Sequence, residues 1–346
     1  MKNNPDFEQL LAVLRREIPE RPVLFEFCID QAFLRRRLES EGGVWIDPEG
    51  SPMDQVSNWI RGYAASGYDF ATFPSWVTDF VPHMKDDRAQ GASKGMAHGG
   101  VITDWESFER YEWPDPDSGD FSLLEQAKSV MPKGMKLIPF SPGTILEGLV
   151  HLCGYEDFCY LLADDVELVE KITDAIGERV FRFYERATEF ETVGAAFVPD
   201  DWGFKTQLFI SPAQMRTLIF PWHRRIVDLL HSRGLPALLH SCGKMDMIWE
   251  DICDLGYDGK HSYEDTIEPV ETVYDRLGEK IAILGGLDID FLSRSTPDAV
   301  EKRAREMLER SATKGGYALG SGNSITPYIP YENFCALLRA AGKIKA

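Results

Sequence analysis

Eight short apolar runs alternate with segments of helical period along this chain, and that alternation constrains the fold more than any other feature. The runs span 22–27, 68–73, 136–140, 195–198, 235–240, 257–261, 281–285 and 317–320. Between them lie helical stretches such as 164–187 and 297–312. Ser211-Pro212 and Thr296-Pro297 mark two helix starts, because proline suits the first turn of a helix, where its missing N–H costs nothing. Strands separated by helices pair in parallel, since each crossover must carry the chain back over the sheet. Eight such units close most simply into a (β/α)8 TIM barrel, read here as a single domain over residues 1–346. An open doubly wound sheet is the rival, but no GxGxxG turn follows the first run, so a dinucleotide fold has no local support. The stretch 75–118 is long, polar and rich in Gly, Asp, Trp and Pro. It reads as an elaborated loop after the second strand, of the kind that serves as a lid.

Charge narrows the partners. Lys and Arg total 37 against 56 Asp and Glu, a formal net charge of −19. Such a surface repels polyanions, which argues against nucleic acid and anionic membranes as partners and leaves a small-molecule substrate. The first twenty residues read as a charged amphipathic helix rather than a signal peptide, and no apolar run approaches membrane-spanning length. Six cysteines are scattered without paired spacing, which fits reduced thiols in the cytoplasm rather than a disulfide framework.

In a TIM barrel the residues at the C-terminal ends of the strands point into one shared pocket. Here those ends carry Glu26 and Cys28, Ser75 and Trp76, Ser141, Asp200 and Asp201, His240 and Cys242, His261 and Glu264, Asp288, and Ser321 with Asn323. The sharpest of these is His240-Ser241-Cys242-Gly243. Residues two apart on a strand share a side, so imidazole and thiolate can be two ligands of one metal, and zinc accepts both. A packed histidine beside a small apolar cysteine would read the same way. Asp200-Asp201 offers two carboxylates that diverge, so at most one faces the pocket, as a metal ligand or an acid/base; an N-cap and turn pair is the alternative. His261 and Glu264 could supply a ligand or orient one. In Gly320–Ser324, Ser321, Gly322 and Asn323 could form a tight turn whose amides cradle an anionic cofactor group, or a simple turn. These three, with Trp76, are the candidate cofactor-binding residues. His83, His98, His151, His223 and His231 lack an evident partner and read as core or surface residues.

Taken together, His240-Ser241-Cys242-Gly243, Gly285-Gly286-Leu287-Asp288, the segment from Gly316 to Ser324 and Pro330-Tyr331-Glu332-Asn333 resemble the uroporphyrinogen decarboxylase superfamily. The likeness extends through Asp200-Asp201-Trp202-Gly203-Phe204, Ser141-Pro142-Gly143 and Arg21-Pro22-Val23, so it covers most of the chain. The resemblance implies a barrel and two activities: cofactor-free decarboxylation, or zinc-dependent transfer of methyl groups from corrinoid proteins to thiols. It also implies an expected homodimer. True decarboxylases of the superfamily carry an arginine-rich segment after the first strand. Here that segment reads Phe25-Glu26-Phe27-Cys28-Ile29-Asp30-Gln31, with no arginine before Arg35. Glu26 and Asp30 in its place would repel a polycarboxylate by roughly several kcal/mol if desolvated. The methyltransferase branch matches at His240 and Cys242, its zinc ligands, but its third ligand, a cysteine, corresponds here to Asn323. A carboxylate must then complete the set, with Glu26, Asp201 and Glu264 as candidates and Glu26 taken first.

The leading expectation is therefore a zinc-dependent methyltransferase-like enzyme. His240, Cys242 and Glu26 are its candidate metal residues; Asp200, Asp201, His261 and Glu264 are its candidate catalytic residues. A corrinoid protein or cofactor is the expected methyl donor, and a thiol the acceptor. A metal-free decarboxylase or lyase of tetrapyrrole metabolism, using a protonated acid such as Asp201, is the alternative. A non-catalytic tetrapyrrole-binding barrel is the third reading.

Overall fold

A computed structural model describes residues 4–46, 51–73 and 100–345. Among them, seven strands run parallel: β1 (Phe70–Phe73), β2 (Lys136–Pro139), β3 (Ala196–Pro199), β4 (Ala237–His240), β5 (Gly259–His261), β6 (Ala282–Leu284) and β7 (Tyr317–Ala318). Each falls on one of the apolar runs, from the second to the eighth, with β3 reaching one residue beyond its run. β1 pairs with β2, and β3 to β7 form a continuous ladder in chain order. Bridges at Leu137–Val193 and Phe140–Phe197 carry the pairing from β2 to β3.

The first run departs from expectation. Over 22–27 it forms one bridge, Leu24 to Leu319, rather than a strand. The Leu319 N–H donates to the Val23 carbonyl and the Phe25 N–H to the Leu319 carbonyl, each at 2.8 Å, so this segment is laddered to the β7 side. Towards β1 it makes side-chain rather than ladder contacts among the described residues. The Phe25 and Phe70 rings lie 5.2 Å apart, and the Tyr63 hydroxyl reaches the Phe27 carbonyl at 3.4 Å. Pro22 has no N–H to offer a neighbour. The segment still occupies the eighth position of the barrel, between β7 and β1.

Rings fill the barrel interior. Phe197 packs against Phe25, His240 and His261 with centroids 5.5, 5.8 and 5.9 Å away. Helices cover the outside. The 22-residue helix Val166–Ala187 is capped by Asp165 and buries Leu168, Val169, Ile172, Ile176, Val180 and Phe183, the single stripe a period of 3.6 produces. Each such side chain contributes about 1.5–3 kcal/mol relative to exposure. Gly177 lets the neighbouring helix come close, because a Cβ there would collide with the Trp222 indole. Both proline-marked starts hold: Ser211 forms a capping box ahead of Pro212, and Thr296 caps the helix Pro297–Ser311.

Of the expected lid stretch 75–118, residues 75–99 lie outside the described residues. The part from 100 onward docks on the helical layer. The Val101 and Ile102 N–H groups bond the Leu152 carbonyl, and the Trp105 indole N–H bonds Asp165 at 2.8 Å.

Candidate metal centre

Register builds the centre. Pro199 of β3 stands opposite His240 of β4, and His240 opposite His261 of β5. The ladder continues past the strand end, where the Ser241 N–H bonds the His261 carbonyl at 2.9 Å. Side-chain alternation then turns Cys242 to the same side as His240, and its Sγ lies 3.7 Å from His240 Nε2. Gly243 follows with φ +99, and a Cβ there would strike the Gly203 backbone, so this glycine both turns the chain and admits the β3 loop. That loop delivers Asp201. Its Oδ1 accepts the Cys242 backbone N–H at 2.8 Å and stands 3.8 Å from His240 Nε2. Ligand atoms of Asp201, His240 and Cys242 all fall within 4.8 Å of one another.

Hydrogen bonding assigns the tautomers. His261 Nε2 lies 3.2 Å from the Ser321 carbonyl, which can only accept, so Nε2 carries the proton. Burial holds both imidazoles neutral; it pushes His240 down to about 3, with the Lys260 ammonium adding to the effect, and His261 well below its ordinary value. His261 Nδ1 is therefore a lone pair. It receives the proton of His240 Nδ1, 2.9 Å away. His240 Nε2 is left as a lone pair facing Cys242 and Asp201. A carbonyl orienting one histidine, which orients a second, is the outer-shell arrangement that fixes a metal ligand.

Burial, then the charge of Asp201, pushes the Cys242 thiol up to about 12, so without a cation it stays protonated at neutral pH. Asn323 Nδ2 donates to Cys242 Sγ at 3.4 Å, which puts residue 323 beside the cluster. Burial also raises the Asp201 carboxyl from its ordinary value. Glu147, which the sequence reading did not single out, is coupled electrostatically to the cluster although it is not one of its grouped ligands. Burial, then Asp201 and Asp200, raise its carboxyl to about 7. A lone glutamate inside an apolar helical pattern was the only signal it left.

The other candidates sort differently. Asp200 turns away from the cluster and organises the fold. It accepts the N–H groups of Leu146 and Glu147 at 3.1 Å each, the Trp202 indole N–H at 2.9 Å, and contacts His223 Nε2 at 2.9 Å. His223 thus has partners after all, Asp200 on one nitrogen and the Tyr257 hydroxyl at 2.6 Å on the other. Glu26 is not in the metal-competent group; both its oxygens engage Ser321, at 2.7 Å to the amide and 2.5 Å to the hydroxyl. Burial raises it to about 8, so it is uncharged at neutral pH and does not supply the expected repulsion of a polycarboxylate. Asp30 caps the helix Gln31–Ser40. Glu264 pairs with Lys205 at 3.0 Å, outside the group. Of the amide cradle expected at Ser321, Gly322 and Asn323, two amides are engaged within the protein. The first amide is spent on Glu26 and the second on the Leu287 carbonyl, and Gly322 is needed where the Tyr263 carbonyl approaches. Trp76 lies outside the described residues.

Fold and site together define a TIM barrel with a candidate metal centre at the C-terminal mouth of its strands. The uroporphyrinogen decarboxylase family model matches residues 60–344. The chain belongs to the uroporphyrinogen decarboxylase family. Its relatives there are enzymes of two kinds. A methylcobamide:CoM methyltransferase MtaA of Methanosarcina barkeri is 31% identical across 96% of each chain. A uroporphyrinogen decarboxylase of Syntrophotalea carbinolica is 28% identical over 171 residues, 49% of this chain and 46% of that one. The chain thus spans about half the length of that decarboxylase. Among solved structures, a methyltransferase from Methanosarcina mazei superposes with a TM-score of 0.68 at 17% identity over 97% of both chains, which is a likeness of fold. No helix among the described residues is long and apolar enough to cross a membrane.

Proposed function

We propose that this chain is a zinc-dependent methyltransferase that moves a methyl group from a corrinoid, carried by a partner protein or free, to a small-molecule thiol. The observation that carries the reading is the convergence of His240 Nε2, Cys242 Sγ and Asp201 on one point. The donor set fits zinc, which takes nitrogen, sulfur and oxygen ligands and, with three from protein, keeps a position open for substrate. Bound there, zinc would supply the Lewis acidity that lowers the pKa of an incoming thiol. His240 is oriented for that role by His261 and the Ser321 carbonyl. Cys242 needs such a cation to give up its proton. Asp201 takes the place of the third thiolate, with Asn323 standing at the position that a cysteine holds in the methyltransferase branch.

In the overall exchange the thiol sulfur forms an S–CH3 bond as the carbon–cobalt bond breaks, with the bonding pair left on cobalt. The thiol proton must leave, and Glu147, held near neutrality beside Asp201, is the base present to take it. The test is demethylation of methylcobalamin with 2-mercaptoethanol as acceptor, followed by absorbance. The wild type should transfer, and His240→Ala and Cys242→Ser should not; transfer unchanged in both variants would overturn the reading. A metal-free lyase acting through protonated Asp201 predicts instead a carboxy-lyase activity that survives chelation and Cys242→Ala.

A further inference from the structure

A cavity of about 400 Å3 lies behind the β4 and β5 loops. Alternation along β5 sends His261 inward and Lys260 to the opposite face, where Lys260 lines this cavity. Trp249, Tyr263, Ile267 and Val273 supply apolar wall. Lys260 is only 2% exposed, and its ammonium sits 5.3 Å from the Trp249 ring and 4.5 Å from the Tyr263 ring.

Every other charge lining the cavity has an opposite partner. Lys244 pairs with Asp246 at 3.5 Å, Arg276 with Glu268 at 2.5 Å, and Glu264 with Lys205 at 3.0 Å. Lys260 has no carboxylate within ion-pair reach among the described residues; its one hydrogen bond goes to the Ser262 carbonyl. Asp201 and Glu264 act on this ammonium only at longer range, so its direct contacts are a carbonyl and two aromatic faces, and no counter-charge touches it. Burial pulls it down to about 8, which leaves most copies charged at neutral pH.

We infer that this cavity is a binding site for a small organic carboxylate with an apolar body, whose charge pairs with Lys260 and whose body lies against Trp249, Tyr263 and Ile267. The volume suits such a ligand, and one charged group in an apolar-walled pocket is the usual composition of a small-molecule site. The cavity has none of the three clustered ligands in its lining, although Gly243 and Ser262 border both and the Lys260 charge is felt by His240 and Cys242.

The test is calorimetric titration of the purified protein with benzoate and with benzamide, its uncharged counterpart. Wild type should bind benzoate at least roughly tenfold tighter than benzamide, the span of one charge-assisted contact. Lys260→Met keeps the length and removes an unpaired charge, so it should fold and lose the preference. Ile267→Trp, a half-buried position on the cavity wall, should weaken benzoate binding with Lys260 intact. Cys242→Ser should bind benzoate as the wild type does. The inference is overturned if benzoate does not bind at millimolar concentration or binds no better than benzamide. It is also overturned if Lys260→Met keeps the preference, or if Cys242→Ser abolishes binding, which would place the carboxylate at the metal centre.

Discussion

Asp200 and Asp201 are adjacent in sequence, and the structure gives them opposite duties, so exchanging each for alanine should produce opposite defects. Asp200 is 1% exposed and serves four groups: two helix-start N–H groups, the Trp202 indole and His223. Asp200→Ala removes the partner of four groups, three of them buried and the Glu147 amide partly so. Each costs about 1–3 kcal/mol, and non-additive relaxation favours the low end, so the loss should be about 4 kcal/mol. That is a large share of the 5–15 kcal/mol typical of a folded domain. Asp201→Ala removes one acceptor, that of the Cys242 amide, and also a carboxylate whose ionisation burial disfavours. Its stability should stay within about 1 kcal/mol of wild type. Urea unfolding of the metal-free proteins followed by tryptophan fluorescence, so that bound zinc adds nothing to stability, with zinc content measured on the proteins as purified, separates the two. Asp200→Ala should unfold at much lower urea yet retain zinc in its folded fraction; Asp201→Ala should unfold like wild type and lose zinc. Equal destabilisation, or zinc loss in Asp200→Ala alone, would refute the assignment.

Further outcomes follow from the same geometry. His261→Phe should fill its space among Phe25, Phe197 and His240 yet free the His240 ring, weakening zinc binding by roughly 10- to 100-fold in a competition titration. Asn323→Cys places a thiolate beside Cys242 and should tighten zinc by on the order of tenfold or more; unchanged affinity would remove residue 323 from the site. Glu26, at about 8 folded against 4.5 unfolded, keeps its proton in the native state while the unfolded chain has lost it. Its contribution is therefore present at low pH and declines as pH rises, at up to about 1.4 kcal/mol per unit between those values. Glu26→Gln should flatten that slope in urea titrations from pH 5 to 8, and an unchanged slope would contradict the assignment. Glu147→Gln should remove the limb near pH 7 from the rate profile of methyl transfer while leaving zinc content intact.

The barrel was legible because strand-length apolar runs and helical stretches alternate along the chain outside the long stretch 75–118, and seven of the eight runs hold strands. The first run misled because apolar character does not reveal on which side a backbone is laddered; 22–27 has ladder bonds to β7 and only ring contacts to β1. His240 and Cys242 were legible for a local reason, since their shared direction depends on strand alternation alone. The third donor was legible only as one of three carboxylates, Glu26, Asp201 and Glu264. Asp201 rather than Glu26 joins them because the Gly203 loop abuts Gly243, a contact between segments 40 residues apart that no spacing rule encodes. Asp200 was indistinguishable from Asp201 until its four partners were placed. Lys260 did leave a sign, a lysine inside an otherwise buried strand. Only the packing around it shows that no carboxylate contacts its charge directly.

The most direct test of the account is the zinc content of the purified protein by elemental analysis, with Cys242→Ser purified in parallel. The account predicts about one zinc per chain in the wild type and its loss in the variant. Absence of metal from both, or equal zinc in both, would contradict a metal centre at His240, Cys242 and Asp201.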